Sequence, residues 1–176
     1  LWRVNIGHGM KVGKEVAVIG GGNVAVDAAR IVLQCGADEV TMLYRRSREE
    51  MPANPWEIKE AESEGVKIEF LVAPRKFLEE NGRVSAIELI RMQLNEPDES
   101  GRRKSVPIEG SEFTWKTDMA ILAIGEVPNV EFLPKEVELN EDGTIWVNPI
   151  TMETSVQGVY AGGDVVTGPA TVIEAI

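Results

Sequence analysis

The sequence has 176 residues, of which 29 are acidic and 18 basic, so its formal net charge is −11 at pH 7. This charge disfavours general binding to nucleic acid or to an anionic membrane surface. No apolar run approaches the about 18 residues that indicate a membrane-spanning helix. With 43% apolar residues we expect a soluble, cytoplasmic protein with a substantial core.

Only one cysteine, Cys35, and one histidine, His8, are present. A single cysteine excludes an internal disulfide bond, a Cys-x-x-Cys redox pair and an iron–sulfur or zinc site within the sequence. We therefore expect no metal site. Because the sequence opens at Leu1 rather than Met and stops within an apolar pattern at Ile176, we expect it to be part of a longer protein.

The first predicted strand, Lys14–Ile19, leads through three glycines into a helix over about residues 23–33. Gly20, Gly22 and Ala25 match the dinucleotide fingerprint, in which the first glycine permits a tight turn and the second lets a pyrophosphate approach the backbone. The small third residue lets the helix pack closely on the strand. A helix N-terminus in this position can hold a phosphate.

The second predicted strand, Glu39–Tyr44, ends where the fingerprint usually places an acidic residue for the ribose hydroxyls of NAD. Arg45, Arg46 and Arg48 stand there instead. An acid would repel a 2′-phosphate, whereas arginines give charge-assisted contacts to it. A solvated basic loop is the alternative, but the position directly after the second strand of such a unit favours NADP.

The next residues predict a capping box at Ser47 and Glu50, then a helix that begins at Asn54 and ends at Gly65. A third strand is expected over residues 66–72.

From Ala73 to Asp118 the pattern alternates as in strands. Asn81-Gly82 is a strong hairpin signal, and the polar run Asn95–Lys104 is expected to be an exposed loop. The sequence thus predicts an antiparallel meander with strands at Arg75–Leu78, Val84–Leu94 and Glu112–Thr117.

The stretch Asp118–Gly125 is nearly all apolar, as expected for a parallel strand that is covered on both faces. Short strands are predicted at Thr144–Asn148 and Gly158–Asp164, and a helix from Thr167 onwards. The predicted fold class is α/β, a Rossmann-like parallel sheet with an inserted antiparallel β-meander.

Four stretches carry a resemblance to a known family, and they occur in the family's order: residues 18–30, 44–53, 123–129 and 158–175. The chain resembles the small (beta) subunit of NADPH-dependent glutamate synthase and related flavoproteins. The resemblance implies an architecture with two dinucleotide-binding domains. It assigns residues 1–11 to a linker, 12–126 to an NADPH-binding domain and 127–176 to an incomplete, returning part of the FAD domain.

The resemblance also implies site residues for NADPH. The backbone around Gly21, Asn23 and Val24 would hold the pyrophosphate, and Arg45 and Arg46 would hold the 2′-phosphate. With the remaining residues of the two sites, the implied cofactor-binding set is Gly20, Gly21, Gly22, Asn23, Val24, Arg45, Arg46, Ile124, Gly125, Gly163, Asp164 and Thr171.

For the nicotinamide ribose the resemblance implies the turn Ile124-Gly125. Asp164, which follows Gly163, would bind the ribityl or pyrophosphate part of FAD, and a helix starting near Pro169 would direct its N-terminus at the flavin. No residue is required as a general acid or base, because the cofactors carry the chemistry.

The implied activity is hydride transfer between NADP(H) and FAD, with electrons relayed to or from iron–sulfur clusters or a large catalytic partner subunit. The chain alone is not expected to be active, since the first glycine fingerprint of the family is absent from it. Two alternatives are a disulfide reductase of the thioredoxin-reductase type, which would normally carry Cys-x-x-Cys in this domain, and a non-catalytic nucleotide-binding or assembly module.

Overall fold

A computed structural model describes residues 11–97 and 103–169 of the chain. The protein forms two compact units, Leu1–Ile124 and Gly125–Ile176. The assignment of residues 12–126 to NADPH and 127–176 to FAD stays a prediction. Within the described ranges no helix is long and apolar enough to cross a membrane.

The first unit contains two helices and eight strands among its described residues. In chain order they are β1 (Glu15–Ile19), α1 (Asn23–Gln34), β2 (Glu39–Tyr44), α2 (Pro55–Glu64), β3 (Lys67–Phe70), β4 (Val72–Glu80), β5 (Arg83–Pro97), β6 (Arg103–Pro107), β7 (Phe113–Lys116) and β8 (Met119–Leu122). A short 3-10 turn, Arg48–Glu50, lies between β2 and α2.

A four-stranded parallel sheet organises this unit, with the strand order β3-β2-β1-β8. The central strand β1 pairs with β2 on one side and with β8 on the other. The remaining strands form an antiparallel sheet, in which the long strand β5 pairs with β4, β6 and β7. Asn81 and Gly82 join β4 to β5 with φ angles of 54° and 76°, as a two-residue hairpin turn requires.

The two faces of the parallel sheet pack against different layers. Val16 and Val18 of β1 belong to the core cluster that includes the buried faces of α1 and α2. Ala17 and Ile19 point to the other face and pack with Ile87, Leu89 and other residues of the antiparallel sheet. The alternation of side chains along one strand therefore serves both layers. This arrangement confirms the predicted fold class, in which a meander replaces a helical layer.

The predicted third strand is in fact two strands that meet at Leu71. This residue has a φ of +57° and separates β3 from β4. Its N–H donates to the Arg46 carbonyl (3.2 Å) and its own carbonyl accepts from the Met92 N–H (2.8 Å), so the chain passes here from the parallel to the antiparallel sheet. The strand-like pattern of residues 66–72 continues through this change without a turn signal, so the sequence predicts a single strand.

The predicted loop Asn95–Lys104 was also wrong at both ends. Residues 95–97 continue β5, and Arg103 and Lys104 begin β6. The polar composition of this run favoured a loop, but Arg103 is anchored by carboxylates about 50 positions earlier in the chain, a contact described below.

The second unit is less regular than predicted. Isolated bridges join Leu139 to Ile145, Val147 to Thr154 and Glu153 to Tyr160, where continuous short strands were expected. A four-residue helix, α3 (Asp164–Thr167), ends where the sequence predicted a helix to begin. The rest of that predicted helix, from residue 170, lies outside the described residues.

Candidate dinucleotide-binding site

Gly20 opens the turn between β1 and α1, and only glycine fits there. Its φ is +147°, a conformation that side-chain-bearing residues rarely adopt. An added Cβ would overlap the carbonyl oxygen of Ala123 and lie 2.9 Å from the carbonyl carbon. The Gly20 N–H donates to the Leu43 carbonyl (3.1 Å), so the turn is fixed to both neighbours of β1.

Gly21 is required for a different reason. A Cβ there would lie 2.5 Å from ring atoms of Tyr44, the last residue of β2, which is 7% exposed. The Gly21 carbonyl accepts a hydrogen bond from the Ala53 N–H (3.2 Å). The dinucleotide fingerprint leaves this position open, so the sequence carried no signal for the constraint.

Gly22 is the N-cap of α1 and is not required by its surroundings. Its φ of −89° and ψ of 175° are extended values that any residue adopts. An added Cβ would meet only Pro52 Cγ, at 3.9 Å, which is ordinary van der Waals contact. The described part of the chain therefore gives no reason for a glycine here, whereas a ligand that approaches the backbone would.

The first turn of α1 offers donors to an anion. Ala25 and Val26 donate their N–H groups to the Gly22 carbonyl (2.9 and 3.2 Å), while the N–H groups of Asn23 and Val24 make no hydrogen bond within the described ranges. No acidic side chain occupies this turn. A 12-residue helix adds the positive end of its dipole at this position.

The side chain of Asn23 links the starts of the two helices. Its Oδ1 accepts a hydrogen bond from the Asn54 N–H (2.9 Å), which ties the start of α1 to the start of α2. Val24 is 60% exposed. The predicted pyrophosphate residues thus lie together on one turn, in which Asn23 and Val24 are exposed and Gly21 is buried.

The arginine loop, which we define as residues 45–48, separates its three arginines. Arg45 is exposed, whereas Arg46 is only 6% exposed. Arg48 forms an ion pair with Glu62 and lies 5.4 Å from the centroid of the Phe70 ring. Of the two residues predicted to hold a 2′-phosphate, only Arg45 therefore presents its side chain at the surface.

Glu50 closes the arginine loop. Its Oε2 accepts from the N–H of Ser47 (3.1 Å) and from the Ser47 hydroxyl, the predicted capping box. Its Oε1 accepts from Arg103 Nε (2.5 Å), and its backbone carbonyl accepts from the Tyr44 hydroxyl (2.7 Å). Sequence patterns did not indicate a role for Arg103 here, because β6 is distant along the chain.

Glu50 forms an ion pair with Arg103 although it is buried, with only 6% of its surface exposed. Burial alone would raise the pKa of its carboxyl group, but the hydrogen bonds from Ser47 and Arg103 and the positive charge of Arg103 together hold the pKa below its ordinary value.

The other predicted residues fall in two places. Ile124 is 71% exposed and comes two residues after β8, so it shares the carboxyl edge of the parallel sheet with the turn and the arginine loop, the edge at which such sheets bind ligands. Gly125 (φ +95°), Gly163 (φ +77°) and the exposed Asp164 belong to the second unit. Thr171 lies outside the described residues.

Residues 4–176 match the family described as pyridine nucleotide-disulphide oxidoreductase. The chain belongs to this family. It is 51% identical over 164 residues to the NADP(+)-dependent formate dehydrogenase subunit beta of Moorella thermoacetica, a match that covers 93% of this chain and 23% of the relative. It is 40% identical over 170 residues to the glutamate synthase (NADPH) small chain of Escherichia coli, covering 93% and 36%.

Two solved structures of other proteins share the fold. Thioredoxin reductase of T. acidophilum matches with a TM-score of 0.70 at 23% identity, covering 93% of this chain and 48% of that one. FprA of Mycobacterium tuberculosis, solved in complex with NADPH, matches with a TM-score of 0.71 at 18% identity, covering 92% and 49%. Likenesses at this level of identity show the fold alone.

Membership of the family confirms the predicted resemblance, since two of the relatives are named as an NADP(+)-dependent and an NADPH-dependent enzyme subunit. The chain spans 23% and 36% of the length of these two curated relatives.

We predict that Glu50→Gln lowers the free energy of unfolding by about 1–3 kcal/mol at pH 7, because the amide loses charge-assisted hydrogen bonds at a buried position. A lowered pKa in the folded state means that the carboxylate stabilises fully above the ordinary glutamate pKa of about 4.3, and that this contribution disappears as the pH falls through the folded-state value. Urea unfolding over a pH series measures both effects.

The matched control is Glu49→Gln, since the side chain of Glu49 is 81% exposed and its loss should change stability by less than about 0.5 kcal/mol. A Glu50→Gln deficit that stays constant into the acid range would contradict the assignment of the stabilisation to the ionised carboxyl group.

Proposed function

We propose that this chain carries the NADP(H)-binding part of a flavoprotein oxidoreductase, within which a hydride passes between NADP(H) and FAD. In this proposal residues 12–126 bind NADP(H), and residues 127–176 contribute to the FAD domain of the whole protein. The observation that carries the proposal is Gly22, a glycine whose missing side chain serves no purpose inside the described chain.

A pyrophosphate fits the space that Gly22 leaves. The N–H groups of Asn23 and Val24 would donate to its oxygens, and the N-terminus of α1 would stabilise its charge. Because this turn has no acidic side chain, no carboxylate in the first turn of α1 repels the ligand. Gly20 and Gly21 are required by contacts within the chain, with the Ala123 carbonyl and the Tyr44 ring, and not by the ligand.

Arg45 supports NADP(H) rather than NAD(H). It is exposed directly after β2, where an acidic residue would instead bind the ribose hydroxyls of NAD. We propose that Arg45 contacts the 2′-phosphate directly, and that the buried Arg46 contributes through its nearby charge. The sequence analysis expected both arginines to contact the 2′-phosphate equally, whereas the proposal gives the direct contact to Arg45.

FAD, when bound, supplies the group that accepts or gives the hydride. For this chain we propose that Gly163, Asp164 and Thr171 contribute to its binding, and that Ile124-Gly125 lies beside the nicotinamide ribose. Asp164 is exposed after a positive-φ glycine, which leaves its carboxylate accessible to a ligand.

The names of the curated relatives bear on the partners of this protein. The relatives are named as beta subunits or a small chain, which supports a partner subunit for this protein as well. We propose that electrons pass to or from iron–sulfur clusters or a larger catalytic subunit, in the cytoplasm. A disulfide reductase is disfavoured by the single cysteine of the sequence, since such chemistry in this domain needs a pair.

We predict opposite consequences for two neighbouring glycines. Gly22→Ala should change stability by less than about 1 kcal/mol, because its backbone conformation and surroundings admit a methyl group, yet it should weaken NADP⁺ binding by about tenfold or more. Gly21→Ala should be strongly destabilised, because its Cβ meets the Tyr44 ring. Thermal unfolding and equilibrium titration of the full-length variants measure both quantities. If Gly22→Ala bound NADP⁺ as well as the wild type, the phosphate site would be elsewhere.

We predict that Arg45→Ala weakens NADPH binding by about 1.5–3 kcal/mol, the range for a hydrogen bond to a charged group, with little change for NADH. Lys59→Ala is the matched control, because Lys59 is an exposed cation on α2 without a proposed role. Isothermal titration with both dinucleotides decides the point. Equal losses for NADPH and NADH, or no loss, would exclude a 2′-phosphate contact at Arg45.

A further inference from the structure

One guanidinium group of the antiparallel sheet reaches the arginine loop. Arg103, the first residue of β6, donates from Nε to Glu50 Oε1 (2.5 Å) and from Nη2 to Glu49 Oε2 (2.7 Å). The same Nη2 lies 3.3 Å from the Ser47 hydroxyl oxygen. Through these contacts the inserted antiparallel layer reaches the carboxyl edge of the parallel sheet.

Arg103 acts on a residue that fixes both ends of the segment around Arg45. The Tyr44 hydroxyl donates to the Glu50 carbonyl, and the Ser47 N–H donates to the Glu50 carboxylate. Arg45 and Arg46 lie between these two fixed points. Rotation of the Glu50 side chain would break its hydrogen bonds to the N–H and the hydroxyl of Ser47, two of the contacts that hold the loop on the far side of Arg45.

Tyr44 extends the same chain of contacts to the phosphate turn. Its ring occupies the space in which Gly21 would carry a Cβ, so the position of Tyr44 and the path of the turn are coupled. Arg103, Glu50 and Tyr44 therefore form a continuous series from β6 to the turn at the end of β1.

Charge gives Arg103 a second effect. Glu49 and Glu50 are the carboxylates that follow the arginine loop, and the side chain of Glu49 is 81% exposed. Unpaired, they would lower the positive potential that a 2′-phosphate meets at Arg45. Arg103 pairs with both of them, while Arg48 is occupied by Glu62.

We propose that Arg103 is a positioning residue for cofactor selectivity: it holds the arginine loop through Glu50 and neutralises the carboxylates beside Arg45, so that the protein prefers NADP(H) to NAD(H). This inference rests on the proposed function of the site. It assigns Arg103 no contact with the dinucleotide itself.

The test uses the full-length protein with Arg103→Gln, Arg103→Lys and, as matched control, Lys104→Gln, which removes an exposed charge from the next position of β6. Dissociation constants are measured for NADP⁺, NAD⁺ and 2′,5′-ADP. Arg103→Gln should raise those for NADP⁺ and 2′,5′-ADP by about tenfold and that for NAD⁺ by less than about twofold. Arg103→Lys should show a smaller selective loss, because lysine keeps the charge without the two-pronged geometry. Lys104→Gln should behave as the wild type.

The double variant Arg103→Gln with Glu49→Gln separates the charge effect of Arg103 from a merely structural role. Removal of the repelling carboxylate should recover part of the NADP⁺ affinity, whereas a structural defect would not be repaired by it. Should Arg103→Gln fail to fold, the selective loss in Arg103→Lys carries the test.

Equal losses for NADP⁺ and NAD⁺, or an unchanged ratio in both Arg103 variants, would overturn the proposal. If the wild type itself did not distinguish NADP⁺ from NAD⁺, the proposed NADP(H) function would be wrong. The role proposed for Arg103 would then be wrong as well. The wild-type titration alone reveals that case.

Discussion

The close approach of three strands to one turn is the constraint on which the site depends. Gly20 has no room for a side chain because the Ala123 carbonyl stands against it, and Gly21 has none because the Tyr44 ring does. Ala123 directly follows β8 and Tyr44 ends β2, so both neighbours of β1 define the path of the turn. The position of α1, and of the N–H groups at its start, follows from that path.

An acidic protein can bind a polyanionic cofactor when its charges are arranged locally. The net charge of −11 coexists with a first turn of α1 that has no acid. Near the arginine loop, carboxylates are paired with Arg48 and Arg103, and Arg45 alone of the loop's three arginines is exposed without an ion pair among the described residues. The arrangement of the ion pairs, rather than the net charge, therefore determines the local charge that a ligand meets at this surface.

Local patterns were enough to predict β1, α1, β2, the capping box of Glu50 and the hairpin at Asn81, because each depends on residues close in sequence. The break at Leu71, the strand β6 and the contact of Arg103 depend on partners from distant segments, and no local pattern reports them. The burial of Arg46 could not be predicted for the same reason. The fingerprint correctly indicated the turn, yet the reason for a glycine at position 21 lies in the tertiary contact with Tyr44.

We propose that this turn holds NADP(H) where it can exchange a hydride with FAD in the whole protein. The most direct test is anaerobic addition of NADPH to the full-length protein while the visible absorbance of the flavin is followed. We expect NADPH to bleach the flavin and NADH at equal concentration to do so far more slowly. A protein that binds NADPH without any change in flavin absorbance, or that contains no flavin, would contradict it and favour a non-catalytic nucleotide-binding module.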